Sequence, residues 1–444
     1  MEPILIGVVC IISLLVFLGL GLPIGITFIF TGLMSSALLI GFKGTLSLFG
    51  QVAYYSVASP TWTCIPLFIL MGSFAAVSGF AKRAYEGVYT LSARMPGSLG
   101  IATCYGCAAF GAISGSSLAA AAIFTKLTLP EMSKYHYNKS FSVGCIASAG
   151  TFASMIPPSM MFIIYALFTQ QSVGRLFAAG IIPGLITATV YSMSIFWRAK
   201  KNPKLAPMVP EEKLLARKEK FIKVGKQEWP IVLIAFLVLG GIYTGVFTPT
   251  EAAAVGCIAV LILGWQQGGI RRLRPITESL RDSANTTSMI FLINVGALFY
   301  NRVLAITGIP TELTMLIQGM DVPRVVILVA FLGVLFFLGM IMVPVGIYAL
   351  TLPIIFPIIV RLGYDPIWFG VIVMKLTEIA AITPPVGLNV YAVKGAVGKN
   401  ISLAEIFAGI WPFLICDIIV LIPLIMFPQI STWLPNLLLG KRIG

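Results

Sequence analysis

The chain has 444 residues, of which 58% are hydrophobic and only 10% charged, and its mean hydropathy is +0.98. A soluble globular chain has about a quarter charged residues, so a soluble enzyme, a disordered protein and a secreted disulfide scaffold are excluded. What remains is a polytopic membrane protein solvated by the lipid bilayer. The net charge of +14 sits in short loops between apolar runs. That pattern encodes membrane topology and argues against nucleic acid as a partner.

The apolar runs are continuous and near twenty residues long rather than alternating, so the spans are helices and not barrel strands. The first twenty residues carry Glu2 but no basic segment and no small-residue cleavage site, which reads as a retained span. Spans are expected at 4–22, 23–41, 61–80, 141–168, 174–198, 229–247, 249–266, 284–307, 366–396 and 404–430. Two further stretches, 98–128 and 325–359, are too long for one span and awkward for two. Each is interrupted near its middle, which suggests hairpins that enter and leave by one side. Cys104 and Cys107 form a lone CxxC without a second pair, and helix packing explains them better than metal.

The stretch 198–226 holds ten Lys/Arg against three Glu and includes Pro203, Pro207 and Pro210, so it reads as a cytoplasmic linker. Other basic segments fall at 82–94, 126–139, 271–281 and 394–399, whereas 42–60, 169–173 and 309–324 read as loops poor in basic residues. One threading satisfies this pattern: both termini outside and five spans per half, with each hairpin returning to its own side. Because five is odd, the second half is inverted relative to the first. The expected division is a first repeat over 1–198, a linker over 199–228 and a second repeat over 229–444. Sequence landmarks support the duplication. Gly32 and Gly256 are 224 apart, as are Ile69-Leu70-Met71-Gly72 and Ile293-Asn294-Val295-Gly296. Thr128-Leu129-Pro130 recurs as Thr351-Leu352-Pro353, and Pro157-Pro158 recurs as Pro384-Pro385.

An inverted repeat with broken elements is how many secondary transporters build a midplane site. A broken helix exposes carbonyl acceptors at one half-helix, suited to a hard cation, and amide donors at the other, suited to a carboxylate. Four candidate breaks occur. The first hairpin turns at Ser114-Gly115-Ser116-Ser117, and the next span contains Gly150, Thr151, Ser154 and Pro157-Pro158. In the second half the breaks run from Gly339 to Gly346, through Val343, and from Glu378 to Asn389, across Thr383-Pro384-Pro385-Val386-Gly387. The double prolines remove backbone donors and free carbonyls one turn earlier.

Charged residues inside spans are few: Glu251, Lys375, Glu378, Lys394 and Asp417. Lys375 and Glu378 are three apart on one helical face and are expected to neutralise each other beside the break. Glu251 follows Pro249-Thr250 and is expected to cap a helix. His136 is the one histidine and lies in a basic segment, which excludes a histidine proton relay within the spans.

At these residues the chain resembles the large membrane subunit, DctM type, of tripartite ATP-independent periplasmic (TRAP) transporters. The matching stretches are Gly111 to Met132, Pro157-Pro158-Ser159, Gly245 to Ala254 and Leu376 to Gly387, and the resemblance runs along nearly the whole chain. It implies an elevator-type transporter in the bacterial inner membrane, importing an organic acid such as a C4-dicarboxylate, sialic acid or a related sugar acid. It also implies sodium as coupling ion without an organic cofactor, a small four-helix membrane subunit and a periplasmic substrate-binding protein. Carried over by position, the ion and substrate region comprises Ser114–Ser117, Gly150–Pro158, Gly339–Val343 and Thr383–Gly387. Sodium is then held by Ser116, Ser117, Gly150, Gly339 and Thr383. One departure is notable: many relatives carry an aspartate near Val343, where this chain has only apolar residues.

The rival within transport is a stand-alone sodium-coupled carboxylate carrier; an antiporter is disfavoured because no aspartate pair sits in the broken helices. A membrane-embedded enzyme needs HExxH, GxGD or a Ser/His pair in the spans, and the sequence has none. A passive assembly subunit has no use for broken helices.

Overall fold

The structure, a computed structural model, describes residues 2–208, 225, 228–319 and 322–440. The described residues form helices joined by short turns and contain no strand. Most of the expected basic linker, and the terminal Lys441-Arg442 pair, lie outside the described residues. In chain order the first half comprises α1 (Pro3–Gly19), α2 (Ile24–Ala58), α3 (Cys64–Val77), α4 (Phe80–Ser92) and α5 (Ser98–Ser114). It continues through α6 (Ser117–Lys134), α7 (Lys139–Ala153), α8 (Met160–Thr169) and α9 (Val173–Lys201). The second half begins with α10 (Glu228–Tyr243), α11 (Pro249–Gln266), α12 (Leu273–Thr307) and α13 (Ile309–Gly319). It ends with α14 (Arg324–Gly339), α15 (Pro344–Arg361), α16 (Pro366–Ala380), α17 (Leu388–Val397), α18 (Leu403–Met426) and α19 (Gln429–Leu439).

Seven of the described helices are long and apolar enough to cross a membrane, among them α2, α9, α11, α12, α15 and α18. The same order of elements appears twice, from α1 to α9 and from α10 to α18. Each half has three helices, a short amphipathic helix, a hairpin, an interrupted helix and a closing span. Local chemistry places the ends. Thr248 caps α11 and Glu251 reaches back to the Thr248 amide at 2.8 Å, a capping box. Ser402 and Glu405 do the same for α18, and Asp365 accepts from the amides of Ile367 and Trp368 at the start of α16. Glu251 is therefore a cap.

Two expected loops are helical. Residues 42–58 continue α2 beyond a bend at Gly41, whose φ of 73° reorients the chain without ending the hydrogen-bonded run. Residues 309–319 form α13, with acidic Glu312 in its first turn. A paucity of basic residues marked both segments as non-cytoplasmic, but it carries no information about helicity.

The halves interlock rather than sit side by side. Helix α2 packs along α12, and α11 packs along α3, so each repeat supplies a partner to the other. The duplicated glycines lie at these crossings, where a methyl on Gly32 would meet Phe299 and one on Gly256 would meet Met71. A second layer joins the hairpins and broken helices: α17 packs on α6 and α7, α15 on α8, and α18 on α7 and α9. The two layers meet where α3 touches α5 and where α12 touches α15.

Candidate functional site

The first hairpin turns in two residues. Gly115 has φ of +60°, and its amide donates to Gly111, closing α5. Ser116 is extended and its hydroxyl accepts from the Ala119 amide at 3.3 Å, opening α6. A methyl on Gly115 would fall on the Pro158 carbonyl, so the tip is seated directly against the first break. That break separates α7 from α8 and contains a cis Pro157-Pro158 bond; the second separates α16 from α17 and contains a cis Pro384-Pro385 bond. Each hairpin's first arm closes on its own broken helix through a glycine, Gly111 against Ala153 and Gly339 against Ala380.

A cavity of about 60 Å³ lies where these elements converge, lined by Gly115, Ser116, Ser117, Ser154, Glu378 and Asn389 among others. Met160, Met161, Pro344 and Leu388 complete most of its wall. Four helix N-termini therefore reach it, those of α6, α8, α15 and α17, together with the C-terminal ends of α7 and α16. A second cavity, about 150 Å³, opens between the layers and is lined by Gly72, Ser73, Ser114, Ser116, Pro158 and Thr286.

The expected site residues divide accordingly. Gly115, Ser116, Ser117 and Ser154 share the first cavity, and Ser114, Ser116 and Pro158 line the second. Gly150 lies behind the tip, where a methyl would touch the Ser117 carbonyl and Ala121. Thr151 is turned to the Ser148 carbonyl at 2.7 Å. In the second half, Thr383 donates to the Ile379 carbonyl at 2.8 Å, Val343 precedes α15, and Gly387, with φ of +67°, precedes α17. Gly339, Val343, Thr383, Pro384, Pro385 and Gly387 line neither cavity.

The expected Lys375–Glu378 pair does not form. Lys375 meets Asp417 of α18 at 2.5 Å and Thr187 of α9 at 3.3 Å, and Tyr191 donates to the other Asp417 oxygen at 2.7 Å. Positions three apart on a helix differ by about 60° in direction, enough to send the ammonium toward α9 and α18 while the carboxylate faces the first repeat. Glu378 instead accepts a 2.6 Å hydrogen bond from Ser154. Its second oxygen is buried without a hydrogen-bond partner, as are both polar atoms of the Asn389 side chain and the Ser114 hydroxyl. Glu378 and Asn389 were thus missed as site residues. Both bound the expected break, and Glu378 also stood out as a charge inside a span, whereas Asn389 lay two residues beyond the matched motif.

An all-helical membrane protein in which hairpins from two repeats meet two interrupted helices has the architecture of a secondary transporter. The chain matches the family described as tripartite ATP-independent periplasmic transporter, DctM component, over residues 11–430. It belongs to that family and is a multi-pass inner-membrane protein, the large permease of a TRAP transporter. It is 31% identical to the C4-dicarboxylate TRAP transporter large permease protein DctM of Vibrio cholerae, over 95% of this chain and 96% of the relative. It is also 31% identical to the sialic acid TRAP transporter large permease protein SiaM of the same organism, with the same coverages. Among solved structures, the YdaH transporter of Alcanivorax borkumensis shares the fold with a TM-score of 0.64 at 12% identity, covering 88% of each chain.

Proposed function

We propose that this permease imports an organic acid, a C4-dicarboxylate, sialic acid or a related sugar acid, by sodium-coupled symport. The observation that carries this reading is the convergence of four helix N-termini on one cavity that also receives two helix C-termini. Amide ends attract a carboxylate, while carbonyl ends and hydroxyls replace the hydration shell of a hard cation. In this reading Ser114, Gly115, Ser116 and Ser117 present amides and hydroxyls to substrate and ion. Gly150, Thr151, Ser154, Pro157 and Pro158 supply the facing break. Gly339, Val343, Thr383, Pro384, Pro385 and Gly387 perform the equivalent role in the second repeat. Sodium ligands come from Ser116, Ser117, Gly150, Gly339 and Thr383. With Val343 unable to ligate through its side chain, the second-repeat ion position relies on carbonyls.

The layer of hairpins and broken helices moves against the layer of α2, α3, α11 and α12 as an elevator. A cavity between the layers at Gly72, Ser114 and Thr286 supports that division. The partners are a small four-helix membrane subunit on the static layer and a periplasmic protein that delivers substrate. The test is uptake by proteoliposomes containing this chain and its small subunit, with a panel of organic acids. Uptake that needs both an inward sodium gradient and a binding protein is the expected result. Uptake with sodium alone makes the chain a stand-alone carboxylate carrier, and uptake independent of sodium overturns the coupling.

A further inference from the structure

We propose that Glu378, with Asn389 and Ser154, holds a monovalent cation of sodium's size at the contact between the two broken helices. This rests on the sodium-coupled reading and adds to it a carboxylate ligand absent from the sodium ligands named above.

Among the described residues, three Asp, Glu, Lys or Arg side chains are buried: Lys375, Glu378 and Asp417, which are 1%, 2% and 0% exposed. Lys375 and Asp417 form an ion pair that Tyr191 and Thr187 complete with hydrogen bonds. That pair is neutral. When ionised, Glu378 is one uncompensated negative charge inside the bundle, a state that calls for either a proton or a cation beside it. One monovalent cation makes the count zero, whereas a divalent ion leaves a buried positive charge.

Glu378 offers a buried oxygen without a partner, and the fully buried Asn389 offers an amide oxygen without a partner, both on the same cavity wall. Ser154 and Ser117 add hydroxyl oxygens from the first repeat. A donor set made only of oxygens selects a hard cation. At about 60 Å³ the cavity has room for an ion with a few waters, since one water needs about 10–15 Å³.

The site also accounts for coupling. An organic anion drawn to the N-termini of α6, α8, α15 and α17 meets Glu378 in the same cavity. With the cation absent, two negative groups oppose each other; with it present, the carboxylate is neutralised and the anion is accepted. Because Ser154 and Ser117 belong to one repeat and Glu378 and Asn389 to the other, the ion ties the repeats together.

The experiment is thermal unfolding of the full chain in nanodiscs, in NaCl, KCl or choline chloride at equal ionic strength, alongside sodium titrations. Wild type is expected to be stabilised selectively by sodium. Glu378→Gln raises the sodium midpoint at least tenfold and unfolds in choline no earlier than wild type, because the unpaired charge is gone. Asn389→Ala, which leaves the carboxylate in place, raises the midpoint severalfold. A wild-type midpoint in Glu378→Gln overturns the site and leaves sodium coupling standing. An equal loss of stability in all three salts also overturns it, because it assigns Glu378 a purely structural role. Stabilisation of wild type by acid and not by sodium assigns the charge to a proton and overturns it too. If Glu378→Gln does not fold, an unchanged midpoint in Asn389→Ala overturns the proposal. Sodium-gradient uptake by wild type, measured separately, shows whether the broader reading fails instead.

Discussion

Ser154, just past the end of α7, donates a 2.6 Å hydrogen bond to Glu378, in the last turn of α16, joining equivalent elements of the two repeats. The repeat-related position of Glu378, counted from the paired double prolines, is Thr151, whose hydroxyl is satisfied by its own helix. The duplicated frame therefore carries different chemistry in its two halves, and the anionic group is confined to one.

Ser154→Ala tests that link. Hydrogen bonds to charged groups contribute about 1.5–3 kcal/mol, so removing this one is expected to raise the sodium concentration for half-maximal uptake by about tenfold. Maximal uptake at saturating sodium is expected to fall far less. The check is a sodium-activation curve in proteoliposomes. An unchanged curve removes Ser154 from the ion region.

The Lys375–Asp417 pair predicts a different pattern. Removing one partner of a buried pair costs about 3–5 kcal/mol, while replacing both with apolar residues of similar volume is often neutral. Lys375→Met and Asp417→Leu are each expected to reduce the folded, membrane-inserted yield sharply. The double variant is expected to recover much of the loss. Thermal unfolding of all four proteins forms the cycle, and additive losses exclude a coupled pair.

Gly115 predicts that close approach matters more than strain. Gly115→Ala places a methyl on the Pro158 carbonyl as well as straining a backbone at φ of +60°. Gly79→Ala imposes similar strain at φ of +84° with no atom within 4 Å of the added carbon. Strain alone costs about 1–2 kcal/mol. Gly79→Ala is therefore expected to be mildly destabilising with uptake near wild type once normalised to protein. Gly115→Ala is expected to lose at least tenfold in uptake.

Much of this architecture was legible because lipid leaves few solutions: long apolar runs become helices, and recurring landmarks become repeats. The hairpin at Ser114–Ser117 and the two double prolines were visible because backbone breaks need glycine, serine or proline. The errors have physical causes. Basic residues report which side of the membrane a segment occupies, so helical 42–58 and 309–319 read as loops. Sequence spacing reports which side chains share a helix, so Lys375 was paired with Glu378, three residues away. Its true partner, Asp417, lies 42 positions on, and only tertiary packing brings it near. Asn389 ends the expected break but was not counted as a ligand, because an asparagine near a helix start is ordinarily solvated or capping.

The two hydroxyls at the hairpin tip and the second break are expected to behave differently. Ser116 caps α6, accepting from the Ala119 amide, and its hydroxyl borders both cavities. Thr383 donates back to the Ile379 carbonyl and borders neither. Ser116→Ala removes a cap worth about 1 kcal/mol together with an oxygen facing the ion region. It is expected to raise the sodium requirement of uptake severalfold. Thr383→Ala frees a carbonyl of the preceding turn for the ion and removes a hydroxyl that is already engaged, so a smaller rise is expected. Sodium-activation curves for Ser116→Ala, Thr383→Ala and Thr383→Val separate hydroxyl loss from packing loss. Unchanged sodium dependence in Ser116→Ala and Thr383→Ala places the ion away from both breaks. A larger effect at Thr383 than at Ser116 assigns the main ion position to the second repeat.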